Sequence, residues 1–140
     1  MTIWFKTYTL EEARVGRPCL PDHLGIELLE LGADFLTGRM PVDDRTRQPY
    51  GILHGGASVA LAETLGSIAA NLVVDRSKQM CVGQEINANH VRSIADGWVL
   101  GTARALHLGR RSHVWEIRID DAQHKLVCIS RLTMAVLDRS

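Results

Sequence analysis

The stretch GGASVALAETLG, from Gly55 to Gly66, has the composition of a packing helix, yet it carries a carboxylate, Glu63. Just before it stands His54, followed by Gly55 and Gly56. A helix that starts here offers unpaired backbone N–H groups and a partial positive charge at its first turn. Two glycines let a substrate approach that backbone with no Cβ in the way. Donors aimed at an oxygen, with a carboxylate as base or nucleophile, suit attack on an acyl carbonyl.

Spacing constrains how these groups can cooperate. Gly55 and Glu63 are eight residues apart, or ~12 Å along a helix at ~1.5 Å per residue. Both must come within roughly 3–3.5 Å of one carbonyl unit. One helix cannot easily do this alone, whereas two antiparallel copies can. A site here is therefore expected to be shared across a two-fold dimer. The expected contact is a face of small residues, Gly56, Ala60, Ser67 and Ala70, interrupted by Glu63.

The elements that hold these groups follow from period and punctuation. The helix is expected from Gly55–Ala57 to about Val74, with Leu61, Leu65, Ile68 and Leu72 on one face. Thr9-x-x-Glu12 has the capping-box pattern, so a short helix is expected near residues 9–16, with Pro18 and Pro21 breaking the chain. Residues 24–32 and 34–42 read as strands, and residues 43–53 as a polar loop punctuated by Pro49 and Gly51. After Lys78 the pattern alternates, giving strands over 80–92, 97–108, 111–121 and 125–137. Breaks at Asp96-Gly97, at Gly109-Arg110 and from Asp120 to His124 point to an antiparallel meander. The fold class is α+β: one long central helix wrapped by a roughly six-stranded antiparallel sheet.

The chain of 140 residues is the size of one domain, 1–140, and its 46% hydrophobic and 23% charged residues suit a globular protein. Net charge is zero, which gives no reason to expect nucleic acid or an anionic membrane as partner. Cys19, Cys81 and Cys128 are odd in number and widely spaced, so neither disulfides nor a cysteine metal site is expected, and a cytoplasmic location is. The N-terminus reads as neither a signal nor a transit peptide, and no run is expected to approach the ~20 apolar residues that span a bilayer.

Three stretches, MPVDDRTRQPYGILHGGASVALAETLGS, GQEINANHVRS and LHLGRRSHVWEIRI, together carry a resemblance. The chain resembles the hotdog-fold acyl-CoA thioesterases, in the branch of the 4-hydroxybenzoyl-CoA, phenylacetyl-CoA and 1,4-dihydroxy-2-naphthoyl-CoA enzymes, over nearly its whole length. The resemblance implies homodimers with two active sites at the interface, usually paired into homotetramers. It implies hydrolysis of an acyl-CoA or acyl-carrier-protein thioester, with aromatic acyl groups favoured. Glu63 matches the catalytic carboxylate, as nucleophile or general base, and Gly55 the N–H that polarises the thioester carbonyl. Gln48 and His54 match the polar pair near the thioester and water. Ser67 and His90 match acyl-pocket positions. Arg92 and the loop of His107, Gly109, Arg110 and Arg111 match the region that meets the nucleotide of coenzyme A. No cofactor or metal is implied, because coenzyme A is part of the substrate and a thioester is already activated.

Two other readings stand beside this one. A hotdog hydratase or dehydratase would share the fold, and crotonyl-CoA hydration separates it from a thioesterase. A non-catalytic acyl-CoA or acyl-carrier binding protein would show no thiol release.

Overall fold

The computed structural model describes residues 1–14 and 18–140. The first helical turn, α1 (Leu10–Ala13), starts where the capping box places it. Thr9 Oγ1 accepts from the Glu12 N–H at 3.2 Å, and Glu12 Oε2 accepts from the Thr9 N–H at 3.3 Å. Residues 15 and 16 of the expected helix lie outside the described residues. Pro21 does not break the chain. It sits in the first turn of a second short helix, α2 (Leu20–His23), where a missing N–H costs no hydrogen bond. The turn that closes this helix, residues 24–26, takes the start of the strand expected from residue 24, and β1 runs Glu27–Leu31, followed by β2 at Phe35–Pro41.

The long helix α3 spans Gly55–Val73, and the chain ends in β3 (Gln79–His90), β4 (Trp98–Leu108), β5 (Ser112–Asp120) and β6 (Leu126–Asp138). All six strands form one antiparallel sheet, in the order β1-β2-β4-β5-β6-β3. The sheet wraps α3, which is the hotdog arrangement. The meander holds for β4-β5-β6 only. β3 does not pair with β4; it lies at the sheet edge beside β6. Residues 91–97 therefore cross to the middle of the sheet rather than close a hairpin, and they tie down the polar loop on the way. The Leu53 N–H donates to Ile94 O at 2.7 Å, and Arg47 Nε donates to Ala95 O at 2.9 Å. Gly51 takes a φ of +82°, a turn that suits glycine.

Alternation along β5 turns Trp115, Ile117 and Ile119 into the core, where all three are fully buried. Against them lie Leu61, Leu65 and Leu72 of α3. Each such side chain gains about 1.5–3 kcal/mol on burial. Ile68 does not join them fully; it is half-buried at the rim of the helix. Leu65 enters a notch made by two glycines directly opposite each other, Gly38 on β2 and Gly101 on β4. A Cβ on Gly38 would come 2.7 Å from Leu65 Cδ2, and one on Gly101 2.7 Å from Leu65 Cδ1. These glycines set how deeply the helix sits on the sheet.

The expectation of no membrane-length apolar run needs correction. α3 has 19 residues and a mean hydropathy of 1.3, enough by length and composition to cross a bilayer, but half of it is buried inside the domain. A central helix wrapped by a sheet must be apolar on most of its circumference. The small face also ends sooner than expected: Ala70 is fully buried in the core, and Asn71 continues the stripe of Glu63 and Ser67 at four-residue steps.

Candidate active site

His54 is the N-cap of α3. Its Nδ1 accepts from the Gly56 N–H at 2.8 Å, and its carbonyl takes the N–H groups of Ala57 and Ser58 at 3.0 and 3.2 Å. The Gly55 N–H is then the one first-turn donor left without a partner among the described residues. The imidazole of His90, the last residue of β3, lies against it. A Cβ on Gly55 would meet His90 Nε2 at 2.9 Å and Cε1 at 3.1 Å. A side chain at position 55 would therefore displace the His90 ring from the helix start.

Gln48, Gly55, His90 and Arg92 line one cavity of about 420 Å³ at the helix start, closed at the sides by Ile52, Leu53, Val91 and Val127. Gln48 Oε1 accepts from the Tyr50 N–H, which fixes the amide and leaves its NH₂ group as a donor. Ser58 also lines this cavity and is buried, and sequence reading missed it. Its signal was its place one turn after Gly55, on the same side of the helix.

Glu63 and Ser67 line a different cavity, of about 310 Å³, along the same helix. Its walls are Leu20 and Pro21 of α2 with Ala60, Thr64 and Ile68 of α3. Ser67 Oγ lies 3.7 Å from Met134 Sδ. The Glu63 carboxylate leans on β3, with Oε2 packed against Gly83. A lone glycine inside a strand pattern signals a bulge or a close approach; both occur here, since the β3–β6 register shifts between Gly83 and Glu85.

The remaining predicted residues lie elsewhere in the chain. Arg110 and Arg111 border a small cleft with Val136 and Asp138. The Arg111 carbonyl accepts from the Val136 N–H at one end of β6, whereas His90 pairs with Cys128 near the other. That separation is roughly 26 Å at ~3.3 Å per residue. His107 borders a third cavity on β4 with Asp34 and Arg104. Gly109 closes the β4–β5 turn, its N–H donating to Ser112 O at 2.9 Å. One chain thus gathers Gln48, Gly55, His90 and Arg92 in one place and Glu63 with Ser67 in another, and it does not bring His107, Gly109, Arg110 and Arg111 to either. Among the described residues no cluster of three or more His, Cys, Asp or Glu side chains is placed to hold a metal. Cys19, Cys81 and Cys128 are free thiols.

A helix start with one donor left free among the described residues, a carboxylate further along, and a sheet wrapped round both make up a hotdog scaffold. The chain belongs to the thioesterase superfamily, whose profile matches residues 50–128. It is similar to a proofreading thioesterase, EntH, of Cronobacter turicensis, 52% identical over 138 residues, covering 96% of this chain and 98% of the relative. It is also similar to the 1,4-dihydroxy-2-naphthoyl-CoA hydrolase of Escherichia coli, 49% identical over 136 residues, covering 96% and 99%. Among solved structures, a mutant thioesterase of Pseudomonas aeruginosa superposes with a TM-score of 0.95 at 49% identity, covering 99% and 100% of the two chains. The chain is an enzyme, a thioester hydrolase.

Proposed function

We propose that this enzyme hydrolyses acyl-CoA thioesters with aromatic acyl groups, at sites shared between two subunits. The observation that carries the proposal is the division of the site residues into two cavities on one helix. The Gly55 N–H would polarise the thioester carbonyl, with Gln48 and His90 around it. Glu63 of the other subunit would act at the carbonyl carbon. As nucleophile, a Glu63 oxygen bonds to that carbon, the thiolate leaves and takes a proton, and water then cleaves the mixed anhydride. As general base, Glu63 takes the proton of the attacking water and returns it to the departing sulfur. Either route consumes one water and yields acid and thiol.

The exposed edge supports the shared site. β3 is a 12-residue edge strand with no strand paired to its outer side among the described residues, a natural place for a second copy to add. Gly83 lies under Glu63 at one part of β3 and His90 against Gly55 at the other. Antiparallel pairing about an axis near Asn87 would set each half-site beside its complement. The Glu63 cavity, walled by Leu20, Pro21, Ala60 and Ile68 with hydroxyls from Thr64 and Ser67, suits a hydroxylated ring. The name of the Escherichia coli relative supports an aromatic acyl-CoA as substrate. Arg92 stands at the mouth of the Gly55 cavity. His107, Gly109, Arg110 and Arg111 would meet the coenzyme A phosphates from a neighbouring subunit of a dimer of dimers. A cytoplasmic location accords with three free thiols.

The test is complementation. Glu63→Ala and Gln48→Ala chains, each inactive alone, are mixed, the mixed oligomer is verified, and thiol release is followed on aryl-CoA substrates. Recovery of activity is expected, because a mixed dimer holds one intact site. Verified mixed oligomers without activity would refute the shared site.

A further inference from the structure

We infer that Gly83 is a positioning residue for Glu63: the missing Cβ on β3 is the seat in which the carboxylate rests. The inference rests on the proposed role of Glu63. The three atoms nearest a Cβ built on Gly83 all belong to Glu63: Oε2 in overlap, Cδ at 3.1 Å and Cγ at 3.8 Å. Nothing else asks for glycine at this position. The glycines with positive φ are Gly25, Gly51 and Gly97, so the backbone at Gly83 accepts any L-residue. Glycine in a strand interior also costs roughly 0.5–1 kcal/mol relative to alanine. Among the described residues the nearest neighbour that gains from its absent side chain is the carboxylate.

The strand is held at a fixed height beneath that carboxylate. Asn71, two turns after Glu63 on the same stripe of α3, bridges to the outer edge of β3. Its Oδ1 accepts from the Cys81 N–H at 2.9 Å, and its Nδ2 donates to Cys81 O at 3.0 Å and to Ser67 O at 2.9 Å. Cys81 lies two residues before Gly83, on the same side of the strand. The clamp at Cys81 and the bulge between Gly83 and Glu85 together fix where the seat lies. An added methyl cannot push the strand away, so the carboxylate must move.

Gly83→Ala tests this. The displaced atom is the far end of a flexible side chain, so the variant should fold and melt at or above the wild-type temperature. Its kcat on the best aryl-CoA substrate should fall on the order of 10²-fold, the effect of an ~1 Å misplacement, with KM within about threefold. In a Glu63→Ala background, the same change should alter the residual rate by less than about twofold, because a residue acting only through Glu63 has nothing left to position. A crystal structure of Gly83→Ala should show Glu63 in a different rotamer. The seat is refuted by wild-type kcat in Gly83→Ala, by an equal loss with and without Glu63, or by a variant that does not fold. If Glu63→Ala alone keeps wild-type turnover, the proposed role of Glu63 fails instead; if Glu63→Ala is inactive while Gly83→Ala is fully active, the seat alone fails.

Discussion

Replacing Leu65 by alanine should empty the notch that seats α3 on the sheet. Leu65 is fully buried, and two of the walls around it are backbone at Gly38 and Gly101. Those walls carry no side chains that could turn inward, and their strands are held in register by the β2–β4 ladder. The cavity should therefore stay open, placing the cost in the upper part of the ~2.7–5 kcal/mol range for such changes, at about 4 kcal/mol. Gly101→Ala in the wild type forces a methyl to 2.7 Å from Leu65 Cδ1. Overpacking at about 1–3 kcal/mol, less the gain of about 0.5–1 from removing a glycine, leaves a net loss of about 1–2 kcal/mol. In the Leu65→Ala background the same methyl enters empty space. It should then stabilise by about 1–2 kcal/mol, through burial of one carbon and the lost glycine entropy. The sign of the Gly101 effect inverts, and the coupling is about 3 kcal/mol. Urea unfolding followed by tryptophan fluorescence, at one fixed protomer concentration, measures all four corners of this cycle. Equal destabilisation by Gly101→Ala in both backgrounds would refute the reasoning.

Other expectations follow from the site and its supports. Glu63→Gln or Glu63→Ala should leave the fold intact and lower kcat by several orders of magnitude, measured as thiol release. His54→Ala removes the N-cap of α3 and should cost about 1 kcal/mol, read as a fall in melting temperature of about 3–5 °C. Gly55→Ala pushes the His90 ring from the helix start; turnover should fall on the order of 10-fold or more with stability nearly unchanged, as a thermal melt would show. Burial raises the Cys81 thiol from its ordinary value of 9.0 to about 11. A group protonated more readily when folded stabilises below its unfolded pKa, so this contribution should be whole below pH 9 and fade between 9 and 11, visible in denaturant midpoints against pH. Thiol titration at pH 8 should find Cys19 reactive first and Cys81 only on unfolding.

Much of this fold was legible because period and punctuation speak about local faces. The helix from Gly55 to Val73, the capping box at Thr9 and the four strands after Lys78 all lie within one or two residues of where the sequence places them. The neighbour of a strand is a different matter. Alternation in β3 gives its faces but not its partner, so its place beside β6 was not legible. Pro21 was misread because a proline looks the same at a helix start as at a break. The ~12 Å between Gly55 and Glu63 separates them along the helix, and in one chain they line two different cavities. The seat at Gly83 had its signal, a glycine inside VGQEI, but its meaning depends on which helix side chain comes to rest there.

β3 lies against Glu63 at Gly83 and against Gly55 at His90, which makes its length a ruler. An inserted single residue between Gly83 and His90 would turn one end over to the opposite face. Two inserted residues would restore the faces but carry the ends about 7 Å further apart. Neither change suits this strand, whereas the turn at 121–124, which carries none of the candidate site residues, can change size without moving either end. Diversification of this scaffold by insertion is thereby steered to its rims, and new specificity must come through side chains such as Ile68 that line a cavity of constant span.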